Sequence, residues 1–435
     1  MTLKPAMRPP WAVASMVREC IVSSNEFRRG ELTERALARL FNLFSEAFDP
    51  LGDNVQSILT PIVYEQFPYQ QSHYEEILRS IALLEDDYVG ARTWPWSDVL
   101  GASIADMVTA SFIIHTVTMR SEGEYRTRSD LGFPEVVEIL GLTEALNAVV
   151  HGLTRTIPEL KAAALSVPLS SSSHRRFAYN PLLRTPLVAT NEGVFAPVPE
   201  LIYDSVAPAV LYHRGRDAWG GAFTRDLGLR VEQYVGRQLR LGVPHYELIP
   251  EIRYDNGQLS ADWFMMSDDT LVIVECKAAR ASLDARLGQE ALDAQFERDI
   301  LKAKRQIERS ADLVTSGHQS FAPLAGGRQV IGLIITAEPF YLLSLSHSNL
   351  LASGTPTLLG SLRDLEHLMT LDGPEAMEQL RAIASDPEKR TWPLGNALDT
   401  PPNSVAHNPI LESVWDRLPL ARPVAQRIAS QKAAS

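Results

Sequence analysis

The sequence predicts two kinds of architecture in one chain, a mainly α-helical N-terminal domain and a C-terminal α/β domain. Three observations carry this. Through about residue 165, apolar positions recur at helical spacing, as in Leu32, Ala36, Leu40, Leu43, Phe44 and Ala47, and so line one side of a helix. The stretch SVPLSSSSHRRFAYN, between Leu165 and Asn180, then loses all apolar periodicity, as loops and linkers do. From Leu182 onward, short β-type runs alternate with helical ones. The expected division is a helical domain over 1–165, a linker over 166–181, an α/β domain over 182–375 and an extended arm over 376–435. A length of 435 residues agrees, because one hydrophobic core rarely serves so long a chain.

Within the helical half, Ser72-His73-Tyr74-Glu75 has the form of a capping box, in which serine and glutamate satisfy free amides at a helix start. It opens a run reaching Leu84. Ser97-Asp98 begins a second apolar run that ends near Met119 and is broken by Asp106 and His115. Such a run reads as a core helix rather than a membrane span. Pro134 enters a helix over 135–140, and Gly141 ends it. This half serves either as a scaffold or as a recognition, regulatory or partner-binding domain. In the linker, His174-Arg175-Arg176 is either solvated charge or a phosphate-backbone contact.

The α/β half opens with a hairpin, Thr185–Thr190 and Val194–Val198 around Asn191-Glu192-Gly193. A helix over 199–213 follows. The stretch from His213-Arg214-Gly215-Arg216 to Trp219-Gly220-Gly221 reads as a surface loop, or else as the entrance to a nucleic-acid groove. Leu227, Val231, Val235 and Leu239, four apart, mark the next helix. His245–Tyr254 gives a strand, Asp262–Met266 and Thr270–Cys276 a hairpin, and 279–290 a loop. Leu292, Phe296, Ile300, Ala303 and Ile307 mark a long helix that also carries Arg298, Lys302, Lys304, Arg305 and Arg309, interleaved with acids. Strands at 329–336 and 357–360 and a helix at 361–369 complete the domain.

The chemistry concentrates in the hairpin, QLSADWFMMSDDTLVIVECKA from Gln258 to Ala278. Side chains alternate along a strand, so Glu275 and Lys277 point to one face while Val272, Val274 and Cys276 point to the other. Tight pairing brings Asp262 next to Glu275. Two carboxylates and a lysine converging at a sheet edge make a site for a hard divalent cation and a phosphate. The competing reading is a salt-bridged cluster, because charges on so apolar a segment need partners whatever they do.

Asp262, then twelve residues, then Glu275-Cys276-Lys277 resembles the signature of the PD-(D/E)xK phosphodiesterases, the restriction-endonuclease-like nucleases. Ala261 stands where that signature has proline. Glu159-Leu160-Lys161 also fits E-x-K, but in a helical segment with no strand around it. The resemblance implies an αβββαβ core with a mixed sheet. It also implies Mg²⁺ or Mn²⁺ held by Asp262, Glu275 and the backbone carbonyl of Cys276, whose thiol points away. Lys277 would position the attacking water and stabilise developing charge, Glu232 on the preceding helix would orient a second metal or a water, and Gln306 would stand nearby. The activity implied is phosphodiester hydrolysis of nucleic acid, DNA before RNA and endonucleolytic before exonucleolytic, in the manner of bacterial defence or restriction-type effectors. A nuclease-fold subunit that binds nucleic acid or a partner without cutting is the alternative.

Composition narrows the setting. A net charge of −12 argues against indiscriminate coating of nucleic acid, which needs Lys and Arg to displace counterions. A locally basic groove and a bound cation remain compatible with it. The first twenty residues lack the uninterrupted apolar core of a signal peptide. Two cysteines cannot form a disulfide framework, so a cytoplasmic location without membrane association is expected. No G-x-x-x-x-G-K-[ST] occurs, so the chain carries no P-loop. Cutting both strands of a duplex with a single site calls for two copies, hence an expected homo-oligomer or a partner bound through the helical domain.

Overall fold

A computed structural model describes residues 9–24, 33–46, 55–70, 72–125, 137–167, 176–243, 245–287, 289–341, 347–399 and 407–421. The chain divides into two units, one of Met1–Ile81, Thr93–Gly220 and Ser413–Ser435, the other of Ala82–Arg92 and Gly221–Glu412. The break at Gly220 lies inside the helical stretch Pro208–Leu239, where φ 60° and ψ −142° leave helical geometry. Only glycine takes such a φ without steric cost.

The first unit is mainly helical. Its helices include Pro10–Ser23, Ile104–Arg120, Thr143–Leu153 and Ile157–Leu165. Ala14, Ile21, Leu160, Leu182, Val188, Val198 and Leu201 form one of its buried clusters. The hairpin at 187–195 is present, and Leu187–Thr190 also pairs in parallel with Thr154–Thr156. The stretch Trp96–Arg120 is long and apolar enough to cross a membrane by length and composition, yet 56% of its most apolar window is buried within the protein. Gly101, at φ 78°, interrupts it, and Ser103 then caps Ile104–Arg120 by accepting from the Asp106 N–H.

Several local expectations are revised here. Residues 213–219, expected as a loop, are helical. Their charges are used internally: Arg214 donates to the Arg184 carbonyl at 2.6 Å, and Arg184 pairs with Asp217 at 2.6 Å. His174 and Arg175 lie outside the described residues, as do Pro134 and the first two residues of the helix expected over 135–140, while Arg176 pairs with Glu65 at 2.8 Å. Glu159 closes a capping box with Thr156 at the start of its own helix, which accounts for that second E-x-K.

The second unit is built on a mixed five-stranded sheet in the order Thr357–Ser361, Gln329–Thr336, Thr270–Lys277, Trp263–Met266, Glu247–Pro250. The first three strands run parallel, and the last two pair antiparallel. Leu271, Val272, Ile273 and Val274 are fully buried, each contributing about 1.5–3 kcal/mol of burial. Two glycines permit close packing. A Cβ on Gly236 would stand 2.2 Å from the Trp263 ring, and one on Gly332 would stand 2.6 Å from Thr357 Oγ1 and 2.9 Å from Ile307 Cγ2. Residues 221–239 bury Leu227, Val231, Tyr234, Val235 and Leu239, and Leu301–Thr315 buries Ala303, Ile307 and Ala311.

The 82–92 segment belongs to this unit through Arg230. That buried guanidinium bonds Asp226 at 2.8 Å and donates to the carbonyls of Leu83, Asp86 and Arg92. The expected loop at 279–290 contains the helix Leu283–Leu287, with Ser282 Oγ accepting from the Ala285 N–H. The expected arm is not extended over its described residues. Asn408 is buried against Gln238 and the Glu366 carbonyl, and Leu394, Leu411, Val414 and Leu418 are buried too. Lys304, expected on a charged helix face, is sealed against the carbonyls of Ser353 and Thr355 at 2.7 and 3.1 Å.

Candidate active site

The site is assembled by the two antiparallel strands and the helices beside them. Trp263 pairs with Val274, so one step outward Asp262 comes level with Glu275. The Asp262 Oδ2 accepts the Cys276 N–H at 2.6 Å, which locks the carboxylate against the neighbouring strand. Glu275 is buried. Its Oε1 accepts from Lys277 Nζ, and its Oε2 is buried with no hydrogen-bond partner. Lys277 Nζ also donates to Gln306 Oε1 at 2.9 Å. The Gln306 helix is tied to the same edge, since Ser310 Oγ accepts from the Ala261 N–H at 2.9 Å and donates to the Gln306 carbonyl at 3.0 Å.

Glu232 arrives from the helix over 221–239, whose position is fixed by the indole of Trp263 donating to the Glu232 carbonyl at 3.0 Å. The close approach at Gly236 makes that bond reachable. A further acid, Glu251, follows the Glu247–Pro250 strand and joins the group. Accessibility rises across the set. Glu275 is buried, Asp262, Lys277, Gln306 and Glu232 are half-buried, and Glu251 is exposed.

Electrostatics bind these acids into one system. Burial first, and then the charge of Asp262, push the Glu275 carboxyl up to about 8, although Lys277 pulls the other way. Glu232 is pushed up to about 7 by burial, Asp262 and Glu251. Glu251 is raised by burial and Asp262, against the pull of Arg253. Burial raises Asp262 as well, opposed by the Cys276 N–H and by Lys277. Burial first, and then the charges of Asp262, Glu275 and Glu232, raise the Cys276 thiol.

Four carboxyls thus act on one another, with the Lys277 ammonium group beside two of them, Asp262 and Glu275. Close like charges disfavour ionisation, and a buried acceptor without a donor is costly. A divalent cation relieves both conditions. The donors are all oxygens, the set that Mg²⁺ and Mn²⁺ prefer, and Asp262 and Glu275, level with each other across the two strands, are the carboxylates that would hold such an ion, with the Cys276 carbonyl. Beyond the ends of the two central strands, Arg280 and Arg286 both pair with Glu338, at 3.3 and 3.2 Å.

Comparison with protein-family models, curated proteins and solved structures finds no match to this chain.

Sequence reasoning named Glu232, Asp262, Glu275, Cys276, Lys277 and Gln306, and all six lie at this sheet end. It missed Glu251. The stretch Leu248-Ile249-Pro250-Glu251-Ile252 has no clean alternation from which to read a face, so the only signal was its nearness to the expected first strand.

Proposed function

We propose that the chain is a metal-dependent phosphodiesterase that hydrolyses nucleic acid, with DNA favoured over RNA and internal cutting over end trimming. One observation carries the reading: the partnerless Oε2 of Glu275, buried among mutually repelling carboxyls with Lys277 beside it. The order of elements supports a restriction-endonuclease-like core. A helix over 221–239 precedes the strand Glu247–Pro250 and the 263–277 hairpin, and the helix Leu301–Thr315 leads to the parallel strand Gln329–Thr336.

When bound, a divalent cation supplies positive charge beside the phosphate and a more readily ionised water. The chain's own residues do the remainder. Asp262, fixed by the Cys276 N–H, holds a ligand oxygen in place without side-chain freedom. Lys277, steadied by Gln306, presents an ammonium group to the phosphate and to charge developing in attack, a contribution on the order of 10²–10³ in rate. Glu232, with a pKa of about 7, is able to take a proton near neutral pH. Two free thiols, Cys20 and Cys276, suit a reducing cytoplasm. A role in defence against foreign nucleic acid, with the helical unit recognising a trigger or partner, is consistent with this design.

The test is incubation of the full chain with plasmid, linear and single-stranded DNA and with RNA, in Mg²⁺ or Mn²⁺ and then with EDTA. Asp262→Asn and Lys277→Met run in parallel. Cation-dependent cleavage lost in both variants supports the reading. Equal outcomes for wild type and variants, or no cleavage of any substrate, refute it and leave a binding subunit.

A further inference from the structure

We infer that His73, Glu76 and Asp204 form a second metal centre, in the helical unit, that takes a divalent transition-metal ion of the zinc class. One donor atom from each of the three lies within 4.8 Å of the others. His73 and Glu76 are three apart on the helix His73–Leu84, a spacing that puts both on one face. Asp204 ends the short helix Leu201–Asp204. Metal bonds of about 2.0–2.2 Å place neighbouring donors roughly 3–3.5 Å apart. His73 Nδ1 and Asp204 Oδ1 already stand at 3.5 Å. The Glu76 carboxylate lies within 4.8 Å of both.

The scaffold around the triad is fixed. Ser80 Oγ, one to two turns along the same helix, donates to the buried Val206 carbonyl at 2.7 Å, which clamps the helix to the segment just beyond Asp204. Tyr203 stacks on the His73 ring with centroids 5.8 Å apart, and its hydroxyl bonds His115 Nδ1 at 3.1 Å. The Tyr203 ring that lies against His73 is itself anchored by that bond to His115. All three residues are half-buried, so an ion can reach them.

Charge points the same way. The triad sets two carboxylates, Glu76 and Asp204, against the single imidazole of His73. One nitrogen with two carboxylates suits Zn²⁺, Co²⁺, Ni²⁺ or Fe²⁺, whereas the all-oxygen group around Glu275 suits harder ions. The inference does not rest on the nuclease reading.

The test uses the full chain carrying Asp262→Asn and Glu275→Gln, so that the other acidic group is disabled. Equilibrium dialysis with Zn²⁺ should recover about one ion per chain, and Co²⁺ should give visible absorption bands. Zn²⁺ should also raise the melting temperature. Adding His73→Ala, Asp204→Asn or the milder Glu76→Gln should each weaken binding by roughly 10–100-fold and abolish the Co²⁺ bands, with helical circular dichroism retained at least in the Glu76→Gln protein. Absence of a bound ion in the parent overturns the inference. So does an affinity unchanged by Glu76→Gln together with either of the other two substitutions, which would leave His73 and Asp204 as a simple ion pair.

Discussion

Replacing Glu275 with glutamine should make the cation-free protein more stable in mild alkali while destroying its response to divalent ions. Glu275 ionises near 4.5 in an unfolded chain and near 8 in the folded one. The native state therefore keeps a proton that the unfolded state releases between those values, and wild-type stability falls as pH rises through that window. Each tenfold change in proton affinity is worth about 1.4 kcal/mol, so forcing the buried carboxylate to ionise costs folding on the order of 5 kcal/mol. Glutamine has the same shape, still offers Oε1 to Lys277 and never ionises. In EDTA, Glu275→Gln and wild type should be nearly equal at about pH 5, and the variant should be more stable by a few kcal/mol at about pH 8.5. Mg²⁺ or Mn²⁺ should restore wild type and leave the variant unmoved. Denaturant titrations across pH, with and without the ion, measure both effects. A variant no more stable than wild type at the alkaline end, or one that the ion stabilises equally, would show that Glu275 is neither strained by its neighbours nor a ligand.

Cation affinity should itself rise with pH, because Glu232 and Glu275, at about 7 and 8, must lose protons for an ion to bind. Calorimetry with Mn²⁺ should show up to about tenfold per pH unit for each proton displaced below pH 8, and Glu232→Gln should flatten the portion near neutrality. Gly236→Ala drives a methyl group into the Trp263 ring and should cost about 1–3 kcal/mol. It should also lower cleavage by shifting the helix that carries Glu232; unchanged melting and activity would contradict the packing. Arg230→Met removes the guanidinium from its buried ion pair with Asp226 and should cost about 3–5 kcal/mol in denaturation.

The central hairpin is easy to read in the sequence because Thr270–Lys277 is an unbroken β-forming run and Ser267-Asp268-Asp269 is an evident turn. The strand at 329–336 and the helix around Leu227 and Val231 declare themselves by the same apolar spacing. What stays hidden depends on contacts without a side-chain code. Residues 82–92 join the second unit through backbone carbonyls that accept from Arg230, and a carbonyl is the same in every residue. The 213–219 stretch misleads because its glycines and charges imitate a loop, while in the fold Arg214 bonds the Arg184 carbonyl and Asp217 pairs with the Arg184 side chain. Asn408 looks like part of a polar tail until Gln238 and Glu366 are in place to satisfy its amide. At His73 and Glu76, the capping serine two residues upstream of Tyr74 draws the eye, and Asp204 is too distant in the chain for any spacing rule to connect it.

The grip of Arg230 on 82–92 bears on how the second unit can be handled. A fragment starting at residue 182, the natural cut suggested by the serine-rich stretch, would discard Leu83, Asp86 and Arg92. It would strand a guanidinium inside the fold with Asp226 as its single remaining anchor. Such a piece should express poorly or aggregate, and its inactivity would say nothing about chemistry. Supplying 82–92 as a tethered or added peptide should recover folding, which makes this chain a candidate for complementation by parts.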